Sequence, residues 1–403
     1  MADNVRVAYF ADRPMLGGAE LSLIDYFRYA EQFGITPILV TTRESPLTRE
    51  ASAVGVRSSL LAAPELVAYE QRPNVLRATS SPVRLAKYGL QAQGTIRRLS
   101  QLLVAERIDI LHTNSMRAHL YGVIAAKLVR VPVVVHIRDM PQRRYVRLAL
   151  RAAIGIADAG IVISEAVSSC LWARRPRKVV LLRNGVDVAR LAPARDGRGG
   201  LRAELGLERK RPLVGIVGQV TAWKGHLDFV RAAARVHREL PDAHFLIIGD
   251  SLLNPTEFKE QVRAEIEALG LQEAITFTGF RSDVPAVLST LDIVVSASWH
   301  EPLGRVILEA LSLGRPLIGT LAGGTPELVE HGVNGLLVPP KNPGALAAAI
   351  LRWAHDPEEA RRCGESGRQR AREEFHVEAE LKRIGSLYAD MLGRTVDGHE
   401  NCH

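Results

Sequence analysis

Short runs of valine, isoleucine and leucine recur along the chain, each closed by glycine or polar residues and followed by a stretch of helical spacing. The first series is VRVAYFA (5–11), TPILVTT (36–42), IDILHTN (108–114), PVVVHIR (132–138) and AGIVIS (159–164). The second is PLVGIVG (212–218), HFLIIGD (244–250), AITFTGF (274–280), LDIVVSAS (291–298), RPLIGT (315–320) and NGLLVPP (334–340). Several runs are nearly continuous rather than alternating, as suits strands of a parallel sheet buried on both faces. Strand–helix–strand repetition therefore predicts two doubly wound α/β units in tandem. Between them, 183–207 is rich in Gly, Arg and Ala and reads as a linker with a short helix. After about residue 341 the pattern is helical throughout, and VEAELKRIGSLYADML carries an apolar stripe that must pack on something.

A length of 403 residues suits two domains rather than one core. No apolar run approaches the roughly 18 residues of a membrane span, and the N-terminus lacks the build of a signal peptide. Cys170, Cys363 and Cys402 are widely separated, without CxxC or histidine partners at ligand spacing. They predict neither a zinc site nor a disulfide framework, and a cytoplasmic setting fits.

Charge changes the picture of the first half. Residues 1–192 hold 27 Lys and Arg against 15 Asp and Glu, a surplus of +12, whereas the remainder holds 25 against 29, a balance of −4. A basic N-terminal half predicts an anionic partner. In RDMPQRRYVRLALRAA (138–153), Arg143, Arg144, Arg147 and Arg151 fall three to four residues apart where they occur within the helix. Most can share a face, with Leu148, Leu150 and Ile154 beside or behind it, and the expectation is peripheral contact with an anionic membrane at its inner face. Aromatics are sparse and not interleaved with arginine, which argues against nucleic acid.

In open α/β sheets ligands bind beyond the carboxyl ends of strands. The residues there form a set. Gly17 and Gly18 precede a helix, whose first N–H groups can meet an anion. His136 ends a strand. In GQVTAWKGH, Lys224 opposes the dipole of the next helix, so local stability does not explain it, whereas a phosphate between them would. The stretch SWHEPLGRVILEAL places Glu301 on a turn and Glu309 inside a helix otherwise apolar on most sides. A first-turn carboxylate suits the dipole, but a buried one needs a partner. Gly323, Gly324 and Glu327 follow the next strand. Backbone donors with Lys224 suit a diphosphate, and Glu309 is shaped to take both hydroxyls of a ribose.

These residues, with LHTNS, HIRD, LRNGVD, IIGD, FTGF and EPLGRVILEALSLGRPLIGTLAGGTPELVEHGVNGLLVPP, resemble the retaining glycosyltransferases of family 4, the group 1 glycosyltransferases. The likeness covers most of the chain. It implies the GT-B architecture, two Rossmann-like domains facing across a cleft. Residues 1–188 would be the acceptor-binding domain and 189–375 the nucleotide-sugar domain, with a C-terminal helix, about 376–403, crossing back onto the first. Glu301, Leu303 and Gly304 would then meet the donor sugar, Glu309 the ribose and Lys224 the diphosphate. Gly17 or Gly18 would close over the phosphates, and His136 would sit near the transferred sugar. Phe280 and Arg281 fall where the family holds the base. Gln219 stands where many members carry arginine, and a neutral amide cannot offset phosphate charge as a guanidinium does, which leaves Arg305 or Arg281 as substitutes.

The resemblance implies a nucleotide-diphosphate sugar as donor and a glycan, lipid-linked or small-molecule acceptor. It also implies retention, with His136, Lys224 and Glu301 nearest the chemistry and no protein nucleophile. No DxD-type site follows a strand, so neither a metal nor another cofactor is expected. The long stretch 62–90 is where acceptor choice is expected. Two alternatives share the architecture: a non-catalytic nucleotide-sugar-binding module, and a sugar phosphorylase, which would need a pyridoxal-bearing lysine.

Overall fold

The structure, a computed structural model, describes residues 4–61, 82–191, 200–251 and 256–394. Most of the stretch 62–90, the middle of the linker and Cys402 lie outside these residues. The chain divides into two compact units, one formed by Met1–Asn184 with Val377–His403 and the other by Gly185–His376.

In the first unit, seven strands form a sheet: β1 (Val5–Phe10), β2 (Ile35–Thr41), β3 (Ser58–Leu60), β4 (Ile110–Thr113), β5 (Val133–Ile137), β6 (Ala159–Val162) and β7 (Val179–Leu181). The order is β3-β2-β1-β4-β5-β6-β7 and the pairings are parallel. The second unit has β8 (Leu213–Val217), β9 (His244–Ile248), β10 (Ile275–Gly279), β11 (Ile293–Ser296), β12 (Leu317–Thr320) and β13 (Leu336–Val338), ordered β10-β9-β8-β11-β12-β13. Each order reverses direction once, between β1 and β4 and between β8 and β11. At such a switch point, neighbouring strand ends lead their connections to opposite faces and leave a crevice.

The apolar runs form central strands because both faces are covered. Val133, Val134 and Val135, and likewise Phe245, Leu246 and Ile247, are fully buried. β3 and β7, which the apolar pattern does not reveal, are three-residue strands at the two edges of the first sheet.

The C-terminal helix Val377–Met391 lays Val377, Leu381, Ile384 and Tyr388 into the core of the first unit, against a cluster that includes Val7, Tyr9 and Leu23. A helix separated from its sheet by the whole second unit is thus part of the first core. Ile384 is fully buried there, so Ile384→Ala should destabilise that unit by about 2–5 kcal/mol, while Leu148→Ala, at a side chain 52% exposed, should shift stability by under about 0.5 kcal/mol. Equal shifts in urea midpoint for the two variants would contradict this packing.

Candidate active site

The crevice end of the second unit is built from three successive strands. After β8 the chain makes a 3-10 turn, Ala222–Lys224, and enters the helix His226–Glu239 through Gly225. After β11 it passes Ser298 and Glu301 and starts the helix Arg305–Ser312, with Gly304 at the N-cap. After β12 it turns at Gly323 and Gly324. Lys224 Nζ lies 2.6 Å from Glu301 Oε2, which also accepts from Ser298 Oγ at 2.8 Å. Glu301 is 6% exposed, so its charge is largely withdrawn from water and held by these donors.

Two close approaches make this possible. Gly225 has φ +76°, and a Cβ there would fall 2.1 Å from the Ala297 carbonyl oxygen. Gly323 has φ +58°, and its Cβ would fall 2.0 Å from the Glu301 carbonyl oxygen. Only glycine lets the three turns come together at these points. The Gly324 N–H then donates to that same Glu301 carbonyl at 2.7 Å.

One turn further on, Glu309 is 5% exposed and accepts from Arg305 Nε at 2.8 Å. The i,i+4 spacing puts both on one helix face, which answers how a carboxylate survives on this largely apolar helix. Arg305 therefore faces Glu309 rather than standing open. Arg281 is held as well, by Glu204 at 2.7 Å and Asp283 at 2.8 Å, and these carboxylates push its pKa up. Phe280, next to it, is 65% exposed. Gln219 is half-buried between β8 and the 3-10 turn, and Leu303 is buried.

Several aromatic neighbours were not visible as a set in the sequence. Trp223 stacks on His300 with ring centroids 5.1 Å apart, and Lys224 Nζ lies 4.4 Å above the Trp223 ring. Trp299 donates from Nε1 to Asp228 Oδ2 at 2.6 Å. These contacts fix the walls beside Lys224, and the tryptophans beside Lys224 and just before Glu301 were the signal in the sequence.

In the first unit, the helix Gly18–Tyr29 follows β1 with Gly17 at its N-cap. The Gly17 N–H is not open as the Gly-Gly turn suggested, because Glu20 Oε2 accepts it at 3.0 Å. Glu20 is 3% exposed; burial pushes its pKa up, and Arg13 opposes that shift. His136, on β5, is fully buried beside His112 of β4, and burial with the nearby Arg138 charge holds both rings well below the usual histidine range. His112 was passed over in the sequence as part of LHTNS. Among the described residues, no group of three or more His, Cys, Asp and Glu could hold a metal ion.

With this geometry in view, the likeness to known proteins is specific. Residues 16–190 match the profile described as Glycosyltransferase Family 4, and residues 198–370 match Glycosyl transferases group 1. The chain therefore belongs to the group 1, family 4 glycosyltransferases. It is 31% identical over 299 residues to the alpha-maltose-1-phosphate synthase of Mycolicibacterium smegmatis, spanning 67% of this chain and 76% of that enzyme. It is 28% identical over 316 residues to the UDP-Gal:alpha-D-GlcNAc-diphosphoundecaprenol alpha-1,3-galactosyltransferase of Escherichia coli, spanning 73% of this chain and 78% of the relative. The crystal structure of Anabaena HepE in complex with UDP-glucose has the same fold, with a TM-score of 0.81 and 24% identity over 96% of this chain and 100% of that one.

Proposed function

We infer that the protein moves a hexosyl-type sugar from a nucleotide-diphosphate sugar to a hydroxyl of a glycan, lipid-linked or small-molecule acceptor, with retention and without a metal ion. The observation that carries this reading is the Lys224–Glu301 pair beside the Gly304 helix start. The Lys224 ammonium, a helix N-terminus and the withdrawn Glu301 carboxylate lie at the switch point of one sheet, with a second withdrawn carboxylate, Glu309, on the same helix. The first two attract a diphosphate, and the carboxylates accept from sugar and ribose hydroxyls. The name of the E. coli relative, with its UDP-linked donor and lipid diphosphate acceptor, points the same way.

Both cations have carboxylate partners in the structure, so the site is nearly neutral by itself. Lysine has three donors on a flexible stem and can serve a phosphate while keeping Glu301. Arg305 is fixed by Glu309, which suits it to hold that carboxylate in place for the ribose. Phe280 and Arg281 take the base side; of the Gly-Gly pair, Gly18 is the candidate for the phosphates, since Glu20 already accepts from the Gly17 N–H.

In the reaction, the bond from the anomeric carbon to the diphosphate oxygen breaks and one to the acceptor oxygen forms on the same face. The acceptor proton passes to a phosphate oxygen, and the nucleoside diphosphate leaves. Charge builds on the leaving group, so fixed donors at the diphosphate are the main lever on rate. His136 serves the sugar as a hydrogen-bond partner.

Lys224→Ala and Glu309→Gln should each weaken donor binding and turnover by about 2–4 kcal/mol, roughly 30- to 1000-fold, while circular dichroism shows a folded protein. Folded variants with unchanged donor kinetics would contradict the assignment. Turnover should also persist in a chelator; loss on chelation with recovery on adding magnesium or manganese would overturn the metal-free mechanism.

We assign the basic surface of the first unit to an anionic membrane. The helix Arg144–Ile156 buries Leu150, Ala153 and Ile154 and exposes Arg144, Arg151, Tyr145, Leu148 and Ile156. Nearby, Arg174, Arg175 and Arg177 line an open depression of about 460 Å³ with Trp172 and with Glu165, which pairs with Arg175 at 2.8 Å. Exposed apolar groups among cations suit the interface of a bilayer, where each basic residue contributes about 1 kcal/mol that salt screens. The protein should cosediment with anionic vesicles at low salt and be released at high salt. Equal binding to neutral vesicles, or none to either, would point to a soluble acceptor.

A further inference from the structure

We propose that Tyr388, on the C-terminal helix, acts through His112 and together with Arg138 to hold His136 as a neutral imidazole whose single ring hydrogen sits on Nε2. The tautomer follows from geometry within the first unit; its use, a hydrogen bond donated to the transferred sugar, rests on the glycosyltransferase reading above.

Sheet register creates the arrangement. Tyr9 of β1 pairs with His112 of β4, and His112 pairs with Val134 of β5. Side chains two apart on a strand share a face, so Tyr9, His112 and His136 project together. The helix Val377–Met391 packs into the same core and brings the Tyr388 hydroxyl to 2.5 Å from His112 Nδ1 and 3.2 Å from the Tyr9 hydroxyl. His112 Nε2 lies 3.0 Å from His136 Nδ1.

Donor and acceptor roles then follow one at a time. Arg138 Nη2 lies 3.3 Å from His136 Nδ1, and a guanidinium has no lone pair to offer. His136 Nδ1 is therefore the acceptor. His112 Nε2 faces the same lone pair and must carry a hydrogen, or two lone pairs would meet. A neutral His112 then accepts at Nδ1, and Tyr388 donates to it, while the Tyr9 hydroxyl donates to the Tyr388 oxygen. The hydrogen left to His136 is on Nε2, a buried atom without a hydrogen-bond partner among the described residues.

The surroundings keep every member neutral. His136 faces Arg138 and His112, with His119 further off, and these like charges add to burial in disfavouring an imidazolium. Burial likewise raises the Tyr388 and Tyr9 hydroxyls above the usual tyrosine range. Arg138 is itself anchored by Asn184 Oδ1 at 2.7 Å and Asn114 Oδ1 at 3.2 Å, and its guanidinium lies 5.1 Å from the centre of the Tyr26 ring. Tyr26 in turn donates to Glu380, on the same C-terminal helix as Tyr388. His136 is thus a fixed N–H donor and not a general base, and Tyr388 is a positioning residue.

The test is long-range proton–nitrogen correlation on the full chain labelled in its histidine rings, with His136 assigned by comparison with His136→Gln. The wild-type ring should carry its hydrogen on Nε2, unchanged between about pH 5 and 8. Tyr388→Phe removes one of the two supports of the tautomer, leaves Arg138 as the other, and should let a minor form of His136 with its hydrogen on Nδ1 appear. It should lower kcat about 5- to 30-fold while the donor KM moves less than about threefold. Tyr9→Phe leaves the Tyr388 hydrogen free to reach His112 and should preserve the His136 signal. A wild-type hydrogen on Nδ1, a ring that titrates in this range, or a Tyr388→Phe spectrum identical to wild type would overturn the proposal. The predicted spectra in a protein that turns over no nucleotide sugar would support the relay and count against the glycosyltransferase reading alone.

Discussion

The ion pair between Lys224 and Glu301 ties together the turns that follow two neighbouring strands, β8 and β11, and the rest of the second unit's chemistry is arranged around it. A carboxylate 6% exposed is costly without partners, and a lysine at a helix start is disfavoured by the dipole. Each relieves the other. The arrangement needs turns closer than side chains permit, which Gly225 and Gly323 supply, and it leaves the Gly304 helix start near the Lys224 ammonium. A diphosphate entering there meets donors already in place, so little reorganisation remains for the reaction itself.

The two units share a topology and solve burial of polar groups differently. At the second switch point, charges are paired: Lys224 with Glu301, and Arg305 with Glu309. In the first, the polar chain on the face of β1, β4 and β5 is neutral apart from Arg138 and Glu380 and runs through tyrosines and histidines. Paired charges can exchange partners with an ionic ligand. A neutral hydrogen-bonded chain keeps its order and leaves one buried N–H donor, His136 Nε2, uncommitted among the described residues.

Much of this was legible in the sequence because the strongest signals are local. Eleven strands showed as apolar runs, since central strands of parallel sheets are buried on both faces. β3 and β7 did not: Ser58–Leu60 and Val179–Leu181 are edge strands, too short to carry a period. Glu309 and Lys224 stood out because each conflicts with its local setting, whereas Glu301, a carboxylate at a helix start, stood out only through its place in the motif. That Arg305 faces Glu309 follows from the i,i+4 spacing, although the sequence offered Arg305 to the phosphates instead. The engagement of Gly17 by Glu20 was harder to see, because an acid in a first turn is ordinary. The Tyr388–His112 contact left no trace, since it joins residues 276 apart and a tyrosine on an apolar stripe reads as core. Arg281 looked available for phosphate although Asp283 stands two residues on, and its second partner, Glu204, lies on a helix 77 residues away.

The central claim is that Lys224 and its neighbours recognise the diphosphate of a nucleotide sugar. The most direct measurement is the affinity of a nucleoside diphosphate relative to the matching nucleoside, by calorimetry, in the wild type and in Lys224→Ala. The account predicts that the wild type prefers the diphosphate and that the preference falls about 10- to 100-fold in the variant, with nucleoside affinity nearly unchanged. An equal preference in both proteins would contradict it.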